Sequence, residues 1–98
     1  MTIAFDVAET KLQKYLAMTE KALSLVQINA QNGSENHRQA LYFLSTARNY
    51  VADAKHFKEK GDLLTAIAAG SYAHAWLDAG AVLGLFKVES SSGLFAVD

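Results

Sequence analysis

The sequence predicts an all-α fold: one bundle of three long helices, with helices two and three as an antiparallel hairpin and a short non-helical C-terminal tail. Three observations lead there. Apolar residues recur at three- and four-residue steps through two long stretches, the spacing of one helical face. A third stretch, apolar almost all round, follows the abrupt turn at Gly61-Asp62. The chain contains no proline, so nothing forces a helix to break. Its 98 residues leave room for one domain only, here 1–98. The expected elements are helices at about 6–31, 35–60 and 62–85 and a tail at 86–98.

The first helix is expected to start near Asp6, with Asp6 and Glu9 in N-cap and N3 positions. Leu12, Leu16, Thr19, Leu23, Val26 and Ala30 then make its inner face. Asn32-Gly33-Ser34 reads as its end: Gly33 suits a left-handed stop, and Ser34 or Asn36 can cap the next helix. In the second helix Ala40, Phe43, Ala47, Tyr50, Ala54 and Phe57 form the core stripe, widened by Leu41, Leu44 and Val51. Gly61 then closes that helix and Asp62 caps the third, a connection short enough to make the two helices antiparallel neighbours.

The third helix offers two apolar faces. Leu64, Tyr72, Ala75, Trp76, Ala79, Val82 and Leu83 form a broad one. Ala66, Gly70, Ala73, Leu77, Gly80 and Gly84 form one of mostly small residues, and Ser71, His74 and Asp78 make a narrow polar strip. The large face is expected to fill the core, and the small one to let a neighbour come close. In the tail, Phe86 to Glu89 alternates like a short strand, Ser90 to Gly93 is a turn, and Leu94 to Val97 is apolar again. Such a tail is expected to fold back over the bundle or to dock on a partner.

Composition excludes several functions. Apolar residues are 51% of the chain and charged residues 19%, which is globular. Nine Lys/Arg against ten Asp/Glu give a net charge of −1, unlike the strongly basic balance of a general nucleic-acid binder. Without cysteine there are no disulfides, thiolate metal sites or Cys nucleophiles. MTIAFDV has neither the basic start nor the apolar segment of a signal peptide, so the expected compartment is the cytoplasm. His74 and Asp78 within the third helix argue against a membrane span.

Candidate chemistry is sparse. His74 and Asp78 stand at i, i+4 on one helix face and can touch, either as a base with its orienter or as a hydrogen-bonded pair in a buried helix. Asp53 and His56 form a carboxylate-x-x-His unit, half of what a di-metal bundle needs, on the polar side of helix two. Arg38, Arg48, Lys55 and His56, with Lys58, Lys60 and Tyr42, lie along the same helix as a possible phosphate or RNA contact, interrupted by Asp53 and Glu59. Tyr72 and Trp76, spaced i, i+4, read first as a packed core pair and second as interface anchors. No cofactor-binding motif is present.

The stretch from Tyr50 to Phe86 resembles the archaeal family catalogued as domain of unknown function 357. The residues that carry the likeness are Asp53, Ala54 and Phe57, then Lys60-Gly61-Asp62. Tyr72-Ala73-His74, Leu77-Asp78-Ala79-Gly80 and Leu83-Gly84-Leu85-Phe86 follow. The resemblance implies a short helical bundle of archaeal, cytoplasmic type and no assigned activity. A weaker likeness is to the helical HEPN superfamily, whose ribonuclease branch has four to six residues between an Arg and the His that follows it. Seven residues separate Arg48 from His56 here, and no His follows Arg38 at a suitable distance. The likeness therefore implies a nucleotide- or RNA-associated module without the nuclease motif.

The reading that follows is a non-enzymatic interaction domain that needs no cofactor. Its expected partner is a second copy, as a dimer, or another protein, with nucleic acid as the alternative. The expected contact surface is Tyr72, His74, Trp76, Asp78, Phe86 and Phe95. The alternative would use Arg38, Arg48, Lys55 and His56.

Overall fold

A computed structural model describes residues 2–29 and 33–87, with side chains described for 7–29 and 33–87. Three helices are present: α1 (Thr2–Leu25), α2 (Glu35–Glu59) and α3 (Leu63–Val82). Two two-residue strands, β1 (Gln27–Ile28) and β2 (Phe86–Lys87), join the ends of α1 and α3. They pair antiparallel, Gln27 with Lys87 and Ile28 with Phe86. No helix among the described residues is long and apolar enough to cross a membrane.

α1 differs from expectation at both ends. It starts at Thr2, so Asp6 lies inside the helix and is not its cap. Thr2-Ile3-Ala4-Phe5 contains neither Gly nor Pro, and nothing stops the helix from extending back past Asp6. It ends at Leu25, six residues before the expected boundary near 31. Val26 still donates to the Ala22 carbonyl at 3.2 Å, after which the chain straightens into β1. The Asn29 amide continues the contact with the other strand, donating to the Leu85 carbonyl at 2.9 Å. Gly33 takes its left-handed conformation ahead of α2, not at the end of α1. Ala30 lies outside the described residues.

The ends of α2 and α3 are built alike. At the first, Gly61 donates to Lys58 O at 3.1 Å and Asp62 to Phe57 O at 2.9 Å. At the second, Gly84 donates to Ala81 O at 3.1 Å and Leu85 to Gly80 O at 2.9 Å. Both are Schellman motifs closed by a glycine in the left-handed region, with φ of +82° at Gly61 and +76° at Gly84. Gly84 is therefore a helix stop and not part of the packing face. Ser34 caps α2 by accepting from the His37 amide at 3.1 Å, and Asp62 caps α3 by accepting from the Thr65 amide at 3.2 Å.

α2 and α3 form the expected antiparallel hairpin, the most extensive packing in the molecule. Its seam is lined by small residues. Ala40, Ala47 and Ala54 on α2 and Ala66 and Ala73 on α3 are fully buried, and Gly80 is buried with them. They recur every seven residues on each helix. Counted outward from the turn, Ala54 stands level with Ala66, Ala47 with Ala73 and Ala40 with Gly80. Small residues at heptad spacing let two antiparallel helices approach closely along a shared seam.

α1 lies on one face of this hairpin. Leu12 and Leu16 join Ala54, Ala66 and Ala69 in one cluster, near the turn. Ala22 joins Ala40, Leu44, Ala47, Leu77, Ala81, Leu85 and Phe86 in a second, at the strand end. Gly70 faces α1, where a Cβ would stand 3.5 Å from Leu16 Cδ2, an ordinary contact. Phe86 turns back onto α3 and occupies the space a Gly80 side chain would need. The tail does return to the bundle as far as Lys87.

The larger correction concerns α3. Its small face is the core, and its large face points outward. Leu64 is 83% exposed, Tyr72 58%, Val82 64% and Leu83 65%. The close hairpin seam is satisfied by Ala and Gly, and α1 supplies the leucines that complete the core. Leu77 is the bulky α3 side chain taken inside, and no volume is left there for those of the broad face. Leu41, placed in the α2 core stripe by its spacing, is likewise half-exposed.

Candidate functional site

The sequence-selected residues fall into three separate places. The first is the outer face of the hairpin. Leu64, Ala68, Tyr72, Ala75, Ala79 and Val82 lie within one side of α3, all exposed, and no charged residue stands among them. Aromatic rings from α2 border this strip. Trp76 meets Phe43 edge-to-face at 4.8 Å and Tyr42 at 5.7 Å. Tyr72 meets Tyr50 at 5.4 Å. Tyr72 and Trp76 therefore each pair with α2 and are not a core pair of their own. Between them lies a shallow hollow of about 270 Å³ lined by Phe43, Tyr72, Ala75, Trp76 and Ala79. Phe86, expected on this surface, is 3% exposed and belongs to the core instead. Phe95 lies outside the described residues.

The second place is the seam between α1 and α3, where His74 and Asp78 come together. His74 Nε2 stands 3.5 Å from Asp78 Oδ2, as their i, i+4 spacing allows. The side chains are 14% and 29% exposed. Thr19, which the sequence placed on the inner face of α1, is fully buried and lies 3.4 Å from His74 Nδ1 through its Oγ1. That hydroxyl donates to the Tyr15 carbonyl at 3.0 Å. With its proton so committed, Oγ1 offers His74 an acceptor on one ring edge and Asp78 offers another on the opposite edge. The Tyr15 ring packs edge-on against His74 at 5.5 Å. Burial, and then the Asp78 charge, raise the Tyr15 phenol above its ordinary range and keep it protonated. Among the described residues, no buried side-chain nitrogen or oxygen is left without a hydrogen-bond partner. The sequence showed His74 and Asp78; Tyr15 and Thr19 could be added only by knowing how α1 lies across α3.

The third place is the polar side of α2. Arg38 is held by Glu35, donating to both carboxylate oxygens at 2.6 Å. These hydrogen bonds, with the Arg38 charge, hold the Glu35 carboxyl below its usual range. Lys55 reaches across to α1 and pairs with Glu20 at 3.0 Å. Arg48 borders a hollow with Glu20, Leu23, Ser24 and Val51. His56 stacks edge-on against Phe57 at 5.3 Å. Two of the four residues expected to meet phosphate, Arg38 and Lys55, are thus answered by carboxylates of the chain itself. Asp53 and His56 are both exposed. Among the described residues, no three His, Cys, Asp or Glu side chains gather closely enough to hold a metal ion.

Comparison with known proteins agrees with the run of residues from Tyr50 to Phe86 and extends it into α1. No curated protein and no solved structure matches the chain. A family model described as a protein of unknown function, DUF357, matches residues 14–86, about three quarters of the sequence. That span takes in the polar seam, the whole α2–α3 hairpin and its outer face, and on it the chain belongs to the DUF357 family.

Proposed function

We propose that this chain is a non-enzymatic interaction module that associates with a second copy of itself through the outer face of α3. The observation that carries the reading is the uncharged, exposed strip Leu64, Ala68, Tyr72, Ala75, Ala79 and Val82. Contiguous apolar surface rimmed by polar residues marks an interaction site. Tyr72 and Trp76 are residue types that anchor interfaces. The strip also repeats a pattern the chain already uses. Ala68, Ala75 and Val82 recur every seven residues, as Ala66, Ala73 and Gly80 do on the side that packs against α2. Such a strip suits a second antiparallel helix, and a face that pairs with itself about a two-fold axis needs no other partner. The absence of charge means that no ion is buried unpaired in the contact.

Sedimentation equilibrium of the full chain, the Ala75→Glu variant and a variant ending at Lys87 tests this. A reversible dimer is expected for the full chain and for the shortened one, and a monomer of unchanged helical content for Ala75→Glu. Trp76→Ala is expected to weaken the dimer without abolishing it. A full chain that stays monomeric at high concentration sinks the reading. So does dimerisation that appears only on removal of 88–98, since the tail would then be the natural cover of this face.

A further inference from the structure

A groove separate from the α3 outer strip runs between the N-terminal half of α1 and the first turns of α3. Its volume is about 290 Å³, at the small end of the roughly 300–1,000 Å³ of small-molecule sites. Ala8, Leu12, Tyr15 and Ile67 make its walls, and Lys11 and Ser71 complete its lining. Lys11 is the one charged residue of the six, and among the described residues no carboxylate pairs with it. Glu20 is taken by Lys55, Glu35 by Arg38, and Asp78 faces His74 further along the seam. We propose that this groove binds a small amphipathic carboxylate, its apolar body between Leu12 and Ile67 and its carboxylate on the Lys11 ammonium.

The charge pattern selects that class. A cation would meet Lys11 with like charge and, among the described residues, find no acid in the lining. A neutral apolar molecule would fill the walls and leave the ammonium unused. An anionic headgroup gains a charge-assisted hydrogen bond from Lys11, with the Ser71 hydroxyl as a second donor. The Lys11 stem can lie along apolar surface while its head stays at the mouth. Tyr15 closes the inner end and separates the groove from Thr19 and His74.

The test is an NMR titration of isotope-labelled full chain with octanoate, and with octanol as its neutral counterpart. Saturable shifts are expected at the amides of Ala8, Leu12, Ile67 and Ser71. Ile67→Trp, which fills the groove, should weaken octanoate at least tenfold, and Lys11→Gln should weaken octanoate several-fold while leaving octanol unchanged. Ile67 is a partly exposed wall of the groove, so the larger ring can fill the groove without entering the core. Should that variant lose helical signal, Ala8→Phe fills the same groove from α1. Any of three outcomes overturns the proposal: no saturable shifts, shifts centred on Tyr72 and Ala75, or a Lys11→Gln effect that is absent or equal for both probes. Because the groove and the outer strip differ in residues, the dimer can fail while this site stands, and the reverse.

Discussion

Gly80 shows how one residue can carry a contact that no periodicity reveals. A helix-interior glycine costs about 1 kcal/mol against alanine. Here the missing side chain is the seat of the Phe86 ring, and a Cβ would overlap that ring. Phe86 is buried among Leu77, Ala81 and Leu85 and cannot simply swing out. Gly80→Ala should therefore destabilise the fold by about 1–3 kcal/mol, as overpacking does. With Phe86→Ala already in place the sign should reverse, because only the helix-propensity gain of about 1 kcal/mol remains. Urea denaturation of the four members of the cycle checks it, and equal effects of Gly80→Ala in both backgrounds would discard the argument. The sequence predicted close approach at the glycines of the third helix, and Gly80 bears that out. It could not show that Gly70 meets Leu16, Gly80 meets Phe86 and Gly84 ends the helix, because those differences arise from what lies opposite each position. His74 is similar: its spacing from Asp78 is local and legible, whereas its contact with Thr19 spans 55 positions and depends on how α1 packs.

At the scale of elements, ends with local chemistry were legible and ends without it were not. Ser34, Gly61 and Asp62 act through bonds to residues three to five positions away, so their roles follow from the sequence. α1 stops for a different reason. Val26 sits three residues after Leu23 and faces inward either as helix or as extended chain, so helical spacing ran on past the true end. The competing state is a two-residue pairing with Phe86 and Lys87, too short to leave a period of its own. The α2–α3 turn concentrates the local signal most. Gly61 holds the left-handed position, and Asp62 both completes the α2 stop and caps α3. Gly61→Ala should cost about 1–2 kcal/mol, because a side chain in that conformation is strained. Gly61→Asn should cost less, since Asn tolerates it. A Cβ at Gly61 meets nothing within 4 Å, so the loss would be purely conformational. Thermal unfolding at one fixed concentration decides it: equal losses for Ala and Asn would mean that some other contact holds the turn.

Among the described residues the outer face of α3 is left uncovered. The molecule's radius of gyration is 14.5 Å, against about 12.6 Å for a compact domain of this length. Long helices suit that value, and the core they share is lean. Among the described residues only Leu77 and Thr19 are large and fully buried, and the hairpin seam is alanine and glycine. Alanines bring backbones close but remove little apolar area from water. The sequence displayed two apolar faces on α3, and bulk was the wrong guide to which one is interior. The seven-residue recurrence of Ala40, Ala47 and Ala54 opposite Ala66, Ala73 and Gly80 was the signal that marks the seam. A chain with so lean a core and so large an outer strip should draw stability from association, and mass action gives that a measurable form. If the folded species is a dimer, each tenfold rise in concentration adds about 1.4 kcal/mol per dimer, or about 0.7 kcal/mol per chain. For a domain near 100 residues, 1 kcal/mol moves Tm by about 4–8 °C, so Tm should climb roughly 3–6 °C per tenfold in concentration. Ala75→Glu places a charge in the middle of the strip and should flatten that dependence. A Tm that holds constant over a hundredfold range in the full chain would mean that the exposed face of α3 is tolerated by the monomer and that its apolar residues add no stability through a second copy.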